Sequence, residues 1–146
     1  MGFFDSFKGQ VEPQFDAQKA IMTIVVSAVK ADGDVSDEEF GRIRSMCVRS
    51  PIFAQNSKDE DDRVILFADN VTRQLGPAAL EKAAAALKPE LRETAFAFAC
   101  DMILADGIVG PEEDAFISRL ADTLGISGNI GQLLVHATII RNRSLN

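Results

Sequence analysis

The residues best suited to chemistry in this chain are carboxylates that occur twice in the same order. The stretch ADGDVSDEEF begins at Ala31, and the stretch ADGIVGPEEDAF begins at Ala105. In both stretches an Asp-Gly pair is followed by a valine and then by a Glu-Glu pair. Carboxylate oxygens are hard ligands of the kind that calcium and magnesium take, so these two ions are favoured over zinc. The predicted metal ligands are Asp32, Asp34, Glu38, Glu39, Asp106, Glu112 and Glu113.

The same stretches also have a purely structural interpretation as helix starts. Ser36 suits an N-cap, and Glu39 three residues later completes a capping box. In the second stretch Gly110 takes the cap position and Pro111 the first helical position, where a missing N–H group costs nothing. Carboxylates in a first turn are also stabilised by the positive end of the helix dipole. Capping alone therefore explains the glutamates.

Capping explains Asp32 and Asp106 less well. Each is expected at the carboxyl end of its helix, where the dipole disfavours an anion. Either side chain could accept N–H groups from the start of the next helix, or it could ligate a cation together with the Glu pair. Neither stretch is an EF-hand, because Ile43 and Ile117 stand where the bidentate glutamate would be required. Both the cap and the cation site remain open at this point.

The apolar residues along the chain recur at intervals of three and four and hardly ever alternate, which predicts an all-α fold. We expect a single domain over residues 1–146, with a short N-terminal segment 1–16 followed by about seven helices. The two acidic stretches would join helices, so the bundle would contain two pseudo-repeated helix-turn-helix hairpins related by a pseudo-twofold axis. Gly125 is expected to end the sixth helix, because glycine tolerates a positive φ.

The charge of the chain limits its partners. With 22 acidic and 15 basic residues, the net charge of −7 argues against binding to nucleic acid or to an anionic bilayer. Protein partners with basic surfaces suit it better. The acidic run 58–62 is predicted to be a solvated first helical turn, with docking of a basic partner as the alternative.

Neither a membrane span nor a secretory signal is expected, since no stretch approaches about twenty uninterrupted apolar residues. Cys47 and Cys100 lack a CxxC spacing and lie in apolar helical patterns, so we expect two buried thiols in a reducing compartment. The predicted location is therefore cytoplasmic.

No catalytic or cofactor-binding residue is predicted. His136 is the only histidine, so a serine or cysteine nucleophile has few possible bases. The sequence GISGNIG follows a helix and not a strand, which argues against a phosphate-binding loop. The chain is therefore not expected to be an enzyme.

The two acidic stretches, the spacing of the seven helices and the opening MGFFDSFKGQ resemble the tellurite-resistance TerB family. The resemblance extends over essentially the whole chain, and its anchors are the two Asp-Gly pairs with the glutamates that follow them. It implies an all-α fold with acidic patches proposed to bind metal. The site residues that it implies are Asp32, Glu38, Glu39, Asp106, Glu112 and Glu113.

The resemblance also implies an association with tellurium-oxyanion resistance and stress response, and action through protein partners near the inner membrane, with no catalytic chemistry. A cytoplasmic location peripheral to that membrane would follow. Gly110 and Pro111 depart from the family pattern, which more often has acidic or small polar residues there, and this weakens the second site relative to the first.

The sequence thus predicts a non-enzymatic acidic helical module that binds divalent cations weakly through its two turns and acts through protein partners. One alternative is a pure protein-interaction domain with an acidic docking face and no metal. A second alternative is a helical domain with an apolar small-molecule pocket lined by Phe96, Phe98 and Met102.

Overall fold

Seven α-helices and no strand make up the regular structure of residues 13–30 and 34–145, the part of the chain that the computed structural model describes. The predicted all-α fold is confirmed. Asp32 and most of the predicted N-terminal segment lie outside the described residues. The helices are α1 Ala17–Val29, α2 Asp37–Arg49, α3 Lys58–Leu75, α4 Ala78–Ala85, α5 Pro89–Ile103, α6 Pro111–Leu124 and α7 Gly128–Arg141.

Helix α1 is at the centre of the fold. Its sequence is apolar on nearly every side, and its buried residues run from Ala20 to Val29 with one interruption. A helix of that kind must be surrounded by other helices. It packs against α3, α4 and α5. Asp16 begins it by accepting a hydrogen bond from the backbone N–H of Lys19 at 2.8 Å.

Helices α2 and α6, which follow the two acidic turns, lie on the outside and bury only a few residues each. Helix α2 packs mainly on α5, whereas α6 packs on α5 and α4. The two helices make few contacts with each other. The pseudo-twofold relation between the two hairpins, and the single domain over residues 1–146, stay predictions.

The helix ends follow the local sequence closely. The backbone N–H of Ser36 donates to Glu39 Oε1 at 2.9 Å and that of Glu39 donates to Ser36 Oγ at 3.1 Å, so the predicted capping box is confirmed. Gly125 ends α6 in the left-handed region with φ +68°, also as predicted. A second capping box, between Ser57 and Glu60, begins α3. The sequence SKDE carries its signature, which the sequence analysis missed.

The acidic run before α3 differs from its prediction at one position. Asp59 and Glu60 are exposed, but Asp61 is buried, so the expectation of a fully solvated turn is wrong there. Asn56 Nδ2 donates to Asp61 Oδ1 at 3.0 Å and to Gln18 Oε1 at 2.8 Å. This network joins α1 to the start of α3 and supplies the buried carboxylate with a hydrogen-bond donor.

Within residues 13–30 and 34–145, no helix combines the length and the apolar character that a membrane span needs.

Candidate functional site

A cleft of about 850 Å³ lies between the N-terminal halves of α2 and α6, and we call it the acidic cleft. The ends of α1 and α5 and the turn after α5 complete its surface. Its lining from α2 consists of Glu38, Glu39 and Arg42, and that from α6 of Glu112, Glu113, Ala115, Phe116 and Arg119. The remaining lining residues are Ala28, Val29, Met102, Ile103, Ala105 and Asp106.

Five of the seven predicted metal ligands line the acidic cleft. Two come from the first acidic stretch and three from the second: Glu38, Glu39, Asp106, Glu112 and Glu113. Asp34 is exposed and is not part of the lining. Because α2 and α6 both begin at the cleft, their positive dipole ends stabilise the glutamates of their first turns.

Three of these carboxylates already have a partner within the chain. Glu39 uses Oε1 for the backbone of Ser36. Asp106 Oδ1 accepts a hydrogen bond from the N–H of Ile108 at 3.0 Å, which is a local turn contact. Glu38, whose side chain is 85% exposed, lies 3.4 Å from Arg42 Nη1. Asp106 therefore accepts a hydrogen bond from its own turn, and not from the start of the next helix as the structural interpretation expected.

The donor set of the acidic cleft consists of carboxylate oxygens, which fit a hard cation such as calcium or magnesium. In the part of the chain that the structure describes, no three His, Cys, Asp or Glu side chains are grouped as ligands of one metal ion. The cleft as described is a region of negative charge and not a closed coordination cage.

Two arginines that the sequence analysis missed also line the cleft. Arg42 follows Glu38 at the i, i+4 spacing typical of helical ion pairs, so the sequence did carry that signal. Arg119 lies over the ring of Phe116, with 5.8 Å between the guanidinium carbon and the ring centroid. Against five carboxylates these two guanidiniums leave the lining negatively charged.

Part of the lining of the acidic cleft is apolar. Val29 and Met102 are buried, and Ile103 and Phe116 are partly buried against the core. Of the residues predicted for a small-molecule pocket, only Met102 lines this cleft. Phe96 is fully buried in the core, and Phe98 packs against it.

The two thiols lie in the core. Burial raises the pKa of Cys47 to about 12, with the nearby Asp61 carboxylate adding to the effect. Burial also raises the pKa of Cys100 to about 12. Both residues are free and buried, as predicted, and neither lines the acidic cleft. His136 is exposed on α7 and is likewise not part of the lining.

The family model described as tellurite resistance protein TerB matches residues 18–130 of the chain. The matched segment is well over half of the 146 residues and contains both acidic turns and the whole lining of the acidic cleft. The chain belongs to the TerB family. A search of curated proteins and a search of solved structures each found no match. The resemblance stated from the sequence is confirmed over residues 18–130, whereas the opening MGFFDSFKGQ and most of α7 lie outside the TerB match.

Proposed function

We propose that this TerB-family chain is a non-enzymatic acidic helical module of the tellurite-resistance and stress-response type. It binds divalent cations weakly at the acidic cleft and acts through protein partners in the cytoplasm, at the inner face of the membrane. The observation that supports this proposal is that carboxylates of both acidic stretches, distant in sequence, line one cleft.

The charge of the cleft lining favours a bound cation. Five carboxylates around one cleft repel one another, and a bound cation relieves that repulsion. Calcium takes about six to eight oxygen ligands at flexible geometry, and water completes the sphere where carboxylates are too few. The affinity is expected to be weak because exposed carboxylates such as Glu38 are screened by solvent and salt. Calcium and magnesium are favoured over zinc because the cleft offers neither histidine nor cysteine.

The test is calorimetric titration of calcium, magnesium and zinc into chelator-treated protein, together with thermal unfolding. We expect saturable heat and a rise in Tm at about millimolar calcium or magnesium, as for weak carboxylate sites. The cation part of the proposal fails if neither heat nor a Tm shift is found at that concentration.

Two variants assign the response to the cleft. Asp106→Asn keeps an Oδ1 acceptor for the N–H of Ile108 but removes a charge, so stability without metal should hold while the response to metal falls. Glu90→Gln is the control for loss of one charge, because Glu90 lies in the first turn of α5 and does not line the cleft. Equal metal responses in both variants would place cation binding elsewhere. Asp32→Asn extends the test to the first turn.

A further inference from the structure

We infer that the acidic cleft is the docking groove for a basic amphipathic helix of a protein partner. The inference rests on the proposed function, since it names the class of partner through which the module acts and the surface that the partner occupies. It is independent of whether a divalent cation binds to the same carboxylates.

Helices α2 and α6 are separated from each other. Neighbouring helices that pack directly lie about 8–10 Å apart and interdigitate their side chains. Helices α2 and α6 instead make few contacts with each other and leave a cleft of about 850 Å³. A water molecule takes about 30 Å³ of liquid volume, so this space far exceeds the needs of one hydrated ion. It is within the range of clefts that bury drug-sized ligands, so it has room for the apolar side chains along one face of a helix.

The apolar part of the cleft lining favours a ligand with an apolar surface. Val29, Met102, Ile103 and Phe116 contribute to the lining, and a metal ion gains nothing from contact with them. The apolar stripe of an amphipathic helix gains from this contact, because burial removes apolar area of both partners from water.

The two helices on either side of the cleft both carry carboxylates. Glu38 and Glu39 come from α2, and Glu112 and Glu113 from α6, and these four carboxylates outnumber Arg42 and Arg119 of the same two helices. An apolar stripe bordered on both sides by lysine or arginine complements this arrangement. The aliphatic stems of those side chains can cover the apolar surface while their charged ends reach the carboxylates. The net charge of −7 also favours encounter with a basic partner.

The experiment uses the full chain and a synthetic fluorescein-labelled peptide of leucine and lysine, with leucines at helical spacing. Binding is followed by fluorescence anisotropy in buffer that contains EDTA, so that no divalent cation takes part. A peptide of the same composition with strictly alternating leucine and lysine is the control for charge alone. We expect the helical peptide to bind at least about tenfold more tightly than the alternating one. Equal affinity would overturn the inference.

Two pairs of variants locate the binding. Ala115→Trp fills the cleft from an exposed position without a change of charge, and Ala137→Trp on the exposed face of α7 is its control. Glu112→Gln removes one charge from the cleft lining. Glu90→Gln is its matched control, because Glu90 follows an N1 proline in α5 as Glu112 does in α6 but does not line the cleft. We expect each cleft variant to weaken the helical peptide about tenfold and each control to leave it unchanged. Equal affinities within both pairs would place the peptide outside the cleft and overturn the inference.

The outcomes separate this inference from the proposed function. If the peptide binds as expected in EDTA while calcium and magnesium give no response, the docking groove stands and the cation proposal fails. If the metals bind and the peptide does not distinguish the cleft variants, the cation proposal stands and the docking groove fails.

Discussion

Gly107, in the second acidic turn, lies directly against the backbone of Asn142 at the end of α7. A Cβ atom added to Gly107 would lie 2.7 Å from the carbonyl oxygen of Asn142, and Gly107 has a φ of +74°. Asn142 Nδ2 also donates a hydrogen bond to the carbonyl oxygen of Leu104 at 3.1 Å. The end of the last helix therefore braces the turn that carries Asp106 to the acidic cleft.

Gly107→Ala should consequently destabilise the protein by about 1–3 kcal/mol, because both the positive φ and the close backbone oppose a side chain. Gly41→Ala is the control, since Gly41 lies within α2 and a Cβ there meets nothing within 4 Å. It should stabilise by about 0.5–1 kcal/mol. Urea denaturation of both variants measures the difference, and equal free energies of unfolding would contradict the contact.

Variants of Glu39 separate its role in the capping box from the contribution of its charge to cation binding. Glu39→Gln keeps an oxygen that can accept from Ser36, so the free energy of unfolding should change by less than about 0.5 kcal/mol. Ser36→Ala removes the cap and should cost about 0.5–2 kcal/mol. The proposed function adds that Glu39→Gln weakens the response of Tm to calcium. Glu60→Gln is the control, because Glu60 has the same place in the capping box of α3 but is not in the cleft lining. A calcium response that both variants retain would make Glu39 a cap only.

Asp69 predicts a pH dependence of stability. Its Oδ1 lies 2.6 Å from Lys30 Nζ, and its Oδ2 accepts from Arg73 Nε at 3.0 Å. Burial alone would raise the pKa of Asp69, but the hydrogen bond and charge of Lys30, with the charge of Arg73, outweigh it and lower the pKa. The stabilisation is therefore complete above the ordinary aspartate pKa of about 3.9 and is lost as the pH falls through the lower folded value.

Asp69→Asn should thus lower the free energy of unfolding by about 1–2 kcal/mol at about pH 7, and by progressively less below about pH 4. Denaturation of both proteins across this range gives the measurement, with Glu93→Gln at an exposed position of α5 as control. A difference between Asp69→Asn and the parent chain that does not change with pH would show that the carboxylate charge contributes nothing.

The buried thiols should be unreactive in the native protein. Burial raises the pKa of both Cys47 and Cys100 to about 12, and the thiolate is the nucleophile in disulfide exchange. A disulfide reagent at about pH 8 should therefore titrate neither thiol in native protein and both after unfolding in guanidinium chloride. Rapid reaction of either thiol in native protein would show that its site opens readily.

The helices could be predicted because their signals are local. The apolar spacing of α1, the capping box at Ser36 and the glycine at 125 each act within a few residues of chain. The missed capping box at Ser57 had an equally local signal. Asp61 shows the limit of this reasoning, because it is buried and its hydrogen-bond donor Asn56 is also bonded to Gln18, which lies 38 residues from Asn56 in sequence.

The sequence by itself determined the all-α fold, the two acidic turns, the two buried cysteines and the resemblance to the TerB family. Only the tertiary structure decided that Glu38, Glu39, Asp106, Glu112 and Glu113 line one cleft, together with apolar residues and two arginines. The physical reason is the difference in sequence range between local helix signals and tertiary packing. Helix propensity and capping are set by neighbours along the chain, whereas the gap between α2 and α6 depends on the packing of α2 against α5, and α3 and α4 separate these two helices in sequence.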